Sequence, residues 1–175
     1  FETHLLLILD SLKKNNFKKA DDQLKKLGSL NRLDRFNLAV LESLKQYVYL
    51  FKEKEFLDNK KSFGKLSIIS ETFQRCYLGD PKTYNYFLNL INDSESDFTR
   101  YIYFYLSFLV ENNELIEAKK ITDDLEFINA TLLLSQGKSW IENKDFDKFI
   151  KVFSCKNHND IIAEFLFLIS NLYSS

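Results

Sequence analysis

Residues 133–153 read LLSQGKSWIENKDFDKFIKVF, and this stretch decides the fold. Apolar residues at helical spacing run as far as Trp140 and resume at Phe149. Between these two segments, residues 142–145 form a polar turn, whose last residue, Asp145, is expected to cap the following helix. The stretch therefore predicts two short antiparallel helices.

Gly137 lies inside the first of these two helices. A residue without a side chain allows the second helix to lie close to the first. Trp140 and Phe146 are large enough to fill the wedge between them. We therefore expect Gly137 to mark the closest approach of the helix pair.

The same pattern recurs along the chain. Residues 5–26 contain LLLILDSL, a polar turn at 13–16, and a second segment that begins FKKADDQLKKL. The position that corresponds to Gly137 is occupied by Leu106 in one direction and by Ser170 in the other, 31 and 33 residues away. A helical pair that returns at this interval predicts a repeat architecture.

Further helices are predicted between these units. The stretch 99–112 is apolar on nearly every side, so it is expected to be the buried centre of the fold. Residues 53–64 are charged and irregular, which predicts a loop, and Asp80 is expected to cap the helix that follows Pro81. The other predicted helices cover residues 38–52, 65–78, 81–91, 114–124 and 163–175.

Composition supports an all-α class. With 45% hydrophobic residues, 175 residues can bury one sizeable core, and one proline with four glycines leaves little material for the turns of a sheet protein. No apolar run reaches the roughly 18 residues that would span a bilayer. The chain starts without Met and ends in an unpaired helix, which predicts an excerpt of a longer protein, soluble in this segment, and leaves a cytoplasmic or a periplasmic location open.

Charge is distributed unevenly along the sequence. Residues 1–88 carry 16 lysines and arginines against 11 acidic residues, whereas residues 89–175 carry 8 against 14. Solvated helix faces explain most of these charges, including the lysine pairs at 13/14, 18/19 and 25/26. Steering of a partner and a nucleic-acid role that rests on the basic half are the alternatives, and we predict no nucleic-acid partner.

The residues that could carry chemistry form no recognisable constellation. Cys155 and His158 have the spacing of half a zinc site, but a second pair is missing, so a partly buried thiol in a turn is expected. Two cysteines, Cys76 and Cys155, make no disulfide framework. The acidic groups at 93–97 and 123–126 lie at predicted helix ends, where capping explains them. We predict no catalytic residues, no metal and no cofactor, and therefore no enzyme.

The chain resembles a tetratricopeptide-repeat protein of a bacterial kind with divergent repeats. The residues that carry the resemblance are Ala20, Ala118, Gly137, Trp140, Phe146 and Tyr173. The resemblance implies an α-solenoid of antiparallel helix pairs, a right-handed superhelix of about nine or ten helices, as one domain over residues 1–175. Residues 36–91 fit it by helix count only, and a nonrepetitive helical bundle is the alternative architecture.

In that family, extended peptides or helices bind in the concave groove lined by the first helix of each pair. The resemblance therefore implies a non-catalytic scaffold that binds a protein or peptide and stacks on flanking repeats of its own chain. Lys138 and Asn171 match the type of residue that grips a terminal carboxylate in some members, while Glu164 would oppose an anion. The implied groove residues are Arg100, Tyr103, Ser107, Thr131, Leu134, Lys138, Glu164, Phe167 and Asn171.

A structural or assembly module that self-associates is the alternative function. The apolar helix at residues 163–173, which has no second helix after it, motivates this alternative.

Overall fold

The computed structural model describes residues 1–30, 33–58, 61–92, 99–124 and 132–174. Every regular element within these ranges is an α-helix, so the predicted all-α class is confirmed. None of the helices described is both long enough and apolar enough to cross a membrane. In chain order the helices are α1 (Glu2–Lys13), α2 (Phe17–Gly28), α3 (Arg35–Glu53), α4 (Lys65–Leu78), α5 (Thr83–Ile91), α6 (Thr99–Glu111), α7 (Leu115–Asp124), α8 (Leu132–Glu142), α9 (Asp147–Val152) and α10 (His158–Ser174).

The chain divides into two compact units. Unit 1 consists of Phe1–Gln74 together with Ile161–Ser175, and unit 2 consists of Arg75–Asp160. Helices α4 and α10 each contribute residues to both units. That all of these residues belong to one repeat domain stays a prediction.

Unit 1 begins with the helical pair that the sequence predicts. Asn15 adopts a left-handed conformation (φ 57°) in the turn, and the side chain of Asn16 accepts a hydrogen bond from the backbone N–H of Lys19 at the start of α2. Helix α3 packs against α2. The ring of Tyr47 on α3 meets that of Phe165 on α10, with the centroids 5.5 Å apart, so α10 is fixed to α3 by aromatic contact.

Unit 2 is built around α6, which contacts α5, α7, α8 and α9. Tyr101 and every residue from 103 to 110 are buried, which confirms that this stretch is core. Its aromatic rings contact rings on α5, α8 and α9. Tyr105 stacks on Phe87 of α5 at 5.3 Å, and Tyr103 stacks on Phe149 of α9 at 5.5 Å. A helix that is apolar all round is thus enclosed by amphipathic helices.

The surroundings of Gly137 on α8 differ in detail from the prediction. A Cβ atom built on Gly137 would lie 3.4 Å from Cε1 of Phe149 and 3.5 Å from Cδ2 of Tyr103. The missing side chain therefore accommodates two aromatic rings rather than the backbone of a second helix. Phe149 fills this space and is fully buried, whereas Phe146 remains half-buried.

Three predictions about helix ends are wrong. The carboxylate of Asp145 does not cap α9, since α9 starts without a side-chain cap. It accepts a hydrogen bond from the Lys148 ammonium at 2.6 Å instead. The last helix begins at His158 rather than at residue 163. Asp80 does not cap α5 either, because this helix begins at Thr83 without a side-chain cap. The Asp80 carboxylate accepts a hydrogen bond from the backbone N–H of Lys82, in the turn before the helix, at 2.8 Å.

The prediction of a free thiol at Cys155 is also wrong. Cys76, near the end of α4, and Cys155, between α9 and α10, form a disulfide within unit 2, with Cα atoms 5.8 Å apart. The two residues are separated by 79 positions in the sequence. The sulfurs come together only because the helices between them pack, so no local sequence pattern predicts the disulfide.

Candidate partner-binding cleft

An open cleft of about 400 Å³ lies in unit 1 between α2 and α3. Each helix lines it with four residues at the spacing i, i+3, i+4, i+7, which is one face of an α-helix. Leu57, in the segment after α3, completes the lining. The contributing faces are Asp21, Leu24, Lys25 and Gly28 on α2 and Lys45, Val48, Tyr49 and Lys52 on α3.

The floor of the cleft is apolar. Leu24 and Val48 are buried, and Tyr49 and Leu57 are half-buried beside them. The cleft is open beside Gly28, at the end of α2. A Cβ atom on Gly28 would meet no other atom within 4 Å. An apolar side chain of a ligand could therefore enter beside Gly28 and displace water from the floor.

Lysines form the rim. The lining contains Lys25, Lys45 and Lys52 against one carboxylate, Asp21. The Lys25 ammonium lies 2.9 Å from the Asp21 carboxylate, and a hydrogen bond to the neighbouring Glu53 carboxylate raises the pKa of Lys52. Both lysines are substantially exposed, and surface ion pairs of this type contribute little to stability. A ligand carboxylate can therefore compete for these ammonium groups.

The residues predicted to line a groove belong to both units and differ in burial. Six of them lie in unit 2 and three in unit 1. Tyr103, Ser107, Leu134 and Glu164 are buried; Lys138 is half-buried; Arg100, Phe167 and Asn171 are exposed; and Thr131 lies outside the described residues.

Two of the buried residues in unit 2 have identifiable structural roles. The Ser107 hydroxyl donates a hydrogen bond to the backbone carbonyl of Phe153 at 2.6 Å, which holds the chain after α9 against α6. The Tyr103 ring packs between Phe149 and Trp140. Burial raises the pKa of Tyr103, and its hydroxyl makes no hydrogen bond in this structure.

Two of the candidate metal ligands are engaged in other interactions, and residues 93–97 and 126 lie outside the described residues. The Cys155 sulfur belongs to the disulfide, so the spacing of Cys155 and His158 cannot supply zinc ligands. Asp123 pairs with Lys119 at 2.9 Å in the last turn of α7. Across the ranges that the structure describes, no group of three or more His, Cys, Asp or Glu side chains could hold a metal ion.

The sequence carries a signal for the cleft. Lys25 lies in one of the lysine pairs that a solvated helix face explains, and Lys45 and Lys52 lie in the predicted helix at residues 38–52. The two sets at i, i+3, i+4, i+7 are visible in the sequence. That they face each other depends on how α2 packs against α3, which the sequence does not specify.

Comparisons with protein-family models, with curated proteins and with solved structures found no match.

Proposed function

We propose that this chain is a non-catalytic helical-repeat scaffold that binds an acidic peptide segment of a partner protein in the cleft between α2 and α3. The observation that carries the proposal is the pair of matching helix faces, with a buried apolar floor and a rim of three lysines. Acidic side chains would meet the rim, and one apolar side chain would enter beside Gly28.

We further propose that the helices form a tetratricopeptide-like solenoid of a bacterial kind. Three pairs of helices adjacent in the chain support this architecture: α1 with α2, α6 with α7, and α8 with α9. Contact between α6 and α8 is a second support, because equivalent helices of neighbouring repeats stack in such arrays. In a solenoid, each added pair extends a surface that can accommodate a peptide.

The charges define the expected ligand. A ligand rich in lysine would be repelled by the rim, whereas glutamates can replace Asp21 and the neighbouring acids as partners of the lysines. The apolar floor adds affinity only if the ligand carries a bulky aliphatic residue among its acids. We therefore expect recognition of an acidic sequence with spaced leucines rather than of a purely acidic chain.

Fluorescence anisotropy with a defined probe tests the proposal. The probe is a fluorescein-labelled peptide of glutamates with two spaced leucines, and the control peptide replaces each glutamate by lysine. We expect saturable binding of the acidic peptide only, weakened by salt because the charges are exposed. Equal binding of both peptides, or of neither, would contradict the proposal.

Substitutions locate the binding. Gly28→Trp adds a large side chain to the cleft lining, at a position where a Cβ atom would meet no other atom within 4 Å. We expect it to weaken binding by at least about tenfold, or about 1.4 kcal/mol. Gly28→Ala leaves the cleft open and serves as its control. Lys25→Glu should weaken binding, whereas Lys26→Glu, which makes the same change in net charge outside the lining, should do so much less.

Self-association is the second candidate function. It is favoured by exposed apolar side chains on unit 2: Ile116 on α7, which is 89% exposed, and Ile150 and Val152 on α9. Sedimentation of the parent chain and of Ile116→Lys distinguishes the two functions. Oligomers that dissociate in the variant, together with absent peptide binding, would favour assembly.

A further inference from the structure

Cys76 and Cys155 are the only two cysteines of the chain, and the fold of unit 2 places them together. Their Cα distance of 5.8 Å is typical of protein disulfides. Both residues are buried, with exposed fractions of 0% and 2%. The bond closes a loop that contains nearly all of unit 2.

The segment that carries Cys155 is irregular, and yet residues 153–155 are buried. Polar contacts attach it to its neighbours: Ser154 Oγ donates to a Glu111 carboxylate oxygen at 2.8 Å, and the Ser154 N–H donates to Asp160 at 2.9 Å. The Phe153 ring stacks on Phe104, with the centroids 3.9 Å apart. The disulfide thus joins α4 to a segment that is already held by α6 and by the start of α10.

We propose that unit 2 acquires this disulfide from an external thiol oxidant before its helices finish packing, and that the chain therefore works in an oxidising compartment. The proposal is independent of the peptide-binding cleft, which lies in unit 1. Thiol–disulfide exchange makes the bond, and the burial of both cysteines restricts when this exchange can occur.

The chemistry is thiol–disulfide exchange with an oxidising disulfide, for which oxidised glutathione is the probe. The thiolate of one cysteine attacks a glutathione sulfur, which forms a mixed disulfide and releases one reduced glutathione. The second cysteine, as its thiolate, attacks the protein sulfur of that mixed disulfide and releases the second glutathione. The two cysteines lose two electrons and two protons, and two reduced glutathiones carry them away.

Burial determines when this exchange can occur. An attacking thiolate must approach the sulfur directly, and neither sulfur of the folded unit is accessible to a molecule of the size of glutathione. Exchange therefore requires a chain in which residues 153–155 have not yet docked. Once formed, the bond persists where thiols are oxidised and is protected from reductants by the packing of unit 2.

Alkylation in urea tests whether the bond is present. The protein is unfolded in urea without reductant, treated with iodoacetamide, and its mass is measured; we expect no added label. After reduction in urea, we expect two labels per chain. Two labels without reductant would show free thiols and overturn the proposal, and burial cannot explain that result because the chain is unfolded.

A second experiment measures whether the disulfide forms before or after the helices of unit 2 pack. Reduced chain is mixed with oxidised glutathione with and without urea, and disulfide formation is followed by quenched mass analysis. We expect two glutathiones released per chain, and much slower oxidation once the reduced chain has been allowed to fold. Equal rates in both conditions would overturn the proposed order.

Replacement of both cysteines by serine gives a test of the need for the bond. For a loop of this length, the thermal midpoint should fall by roughly 10 °C. The parent under reducing conditions should show the same decrease. An unchanged midpoint in both would contradict the expectation that the bond stabilises the fold.

Discussion

The hydroxyl of Ser107 donates a hydrogen bond to the backbone carbonyl of Phe153 across 46 residues of sequence. This contact is buried, and it fixes the irregular chain after α9 to the central helix of unit 2. Ser107 therefore has a structural role, although the resemblance implies that this residue lines a groove.

Ser107→Ala should destabilise the protein by about 1–2 kcal/mol, because the buried Phe153 carbonyl would lose its donor. Urea unfolding measures the effect. Ser135→Ala on the exposed face of α8 is the matched control and should change stability by less than about 0.5 kcal/mol. Equal urea midpoints for the Ser107 variant and the parent would show that the Ser107 hydrogen bond does not stabilise the fold.

The hydroxyls of two buried tyrosines, Tyr103 and Tyr47, should respond oppositely to removal. Tyr103 has no partner for its hydroxyl, so Tyr103→Phe should leave stability unchanged or raise it by about 1 kcal/mol. Tyr47 is hydrogen-bonded to Ser70, so Tyr47→Phe should lower stability by about 1 kcal/mol. Thermal unfolding of both variants checks the contrast, and a loss at Tyr103 equal to that at Tyr47 would refute it.

The packing around Gly137 predicts a size limit. The methyl group of Gly137→Ala makes ordinary contacts with Phe149 and Tyr103, so helix propensity should dominate and raise stability by up to about 1 kcal/mol. Gly137→Leu must displace those rings and should cost about 1–3 kcal/mol. A higher urea midpoint for the leucine variant than for the parent would show that the rings do not enclose this site.

Asp160 should make stability depend on pH. Burial raises the pKa of this carboxyl, against the opposing effect of the Ser154 N–H hydrogen bond. A raised folded pKa favours the neutral acid, so its stabilising contribution is complete below the unfolded pKa of about 3.9 and is lost as pH rises through the folded pKa.

Asp160→Asn keeps an acceptor for Ser154 and remains neutral. Its stability relative to the parent should therefore increase as pH rises above about 4. Urea midpoints at several pH values measure this difference. A difference that does not change with pH would contradict the direction of the shift.

Helices with strong local signals were predictable from the sequence. The bounds of α4 agree with the prediction, and α2 begins at Phe17 because Asn15 and Asn16 form the turn before it. The apolar character of α6 also predicted its burial.

Features that depend on packing were not predictable in this way. The partner of Cys76 lies 79 residues away, and the burial of Glu164 depends on which face of α10 packs inward. The resemblance implies that Glu164 lines a groove, but the Glu164 side chain is only 2% exposed. The cleft depends likewise on the relative placement of two helices, each of which is amphipathic by itself.

The most direct test of the proposed function is to map peptide binding on the backbone amides by NMR. The labelled chain is titrated with the acidic leucine-containing peptide, and shift changes are followed residue by residue. The proposal predicts saturable changes concentrated at residues 21–28 and 45–57, and their loss in Gly28→Trp. Changes that cluster in unit 2, or an absence of saturable changes while the lysine peptide behaves identically, would contradict it.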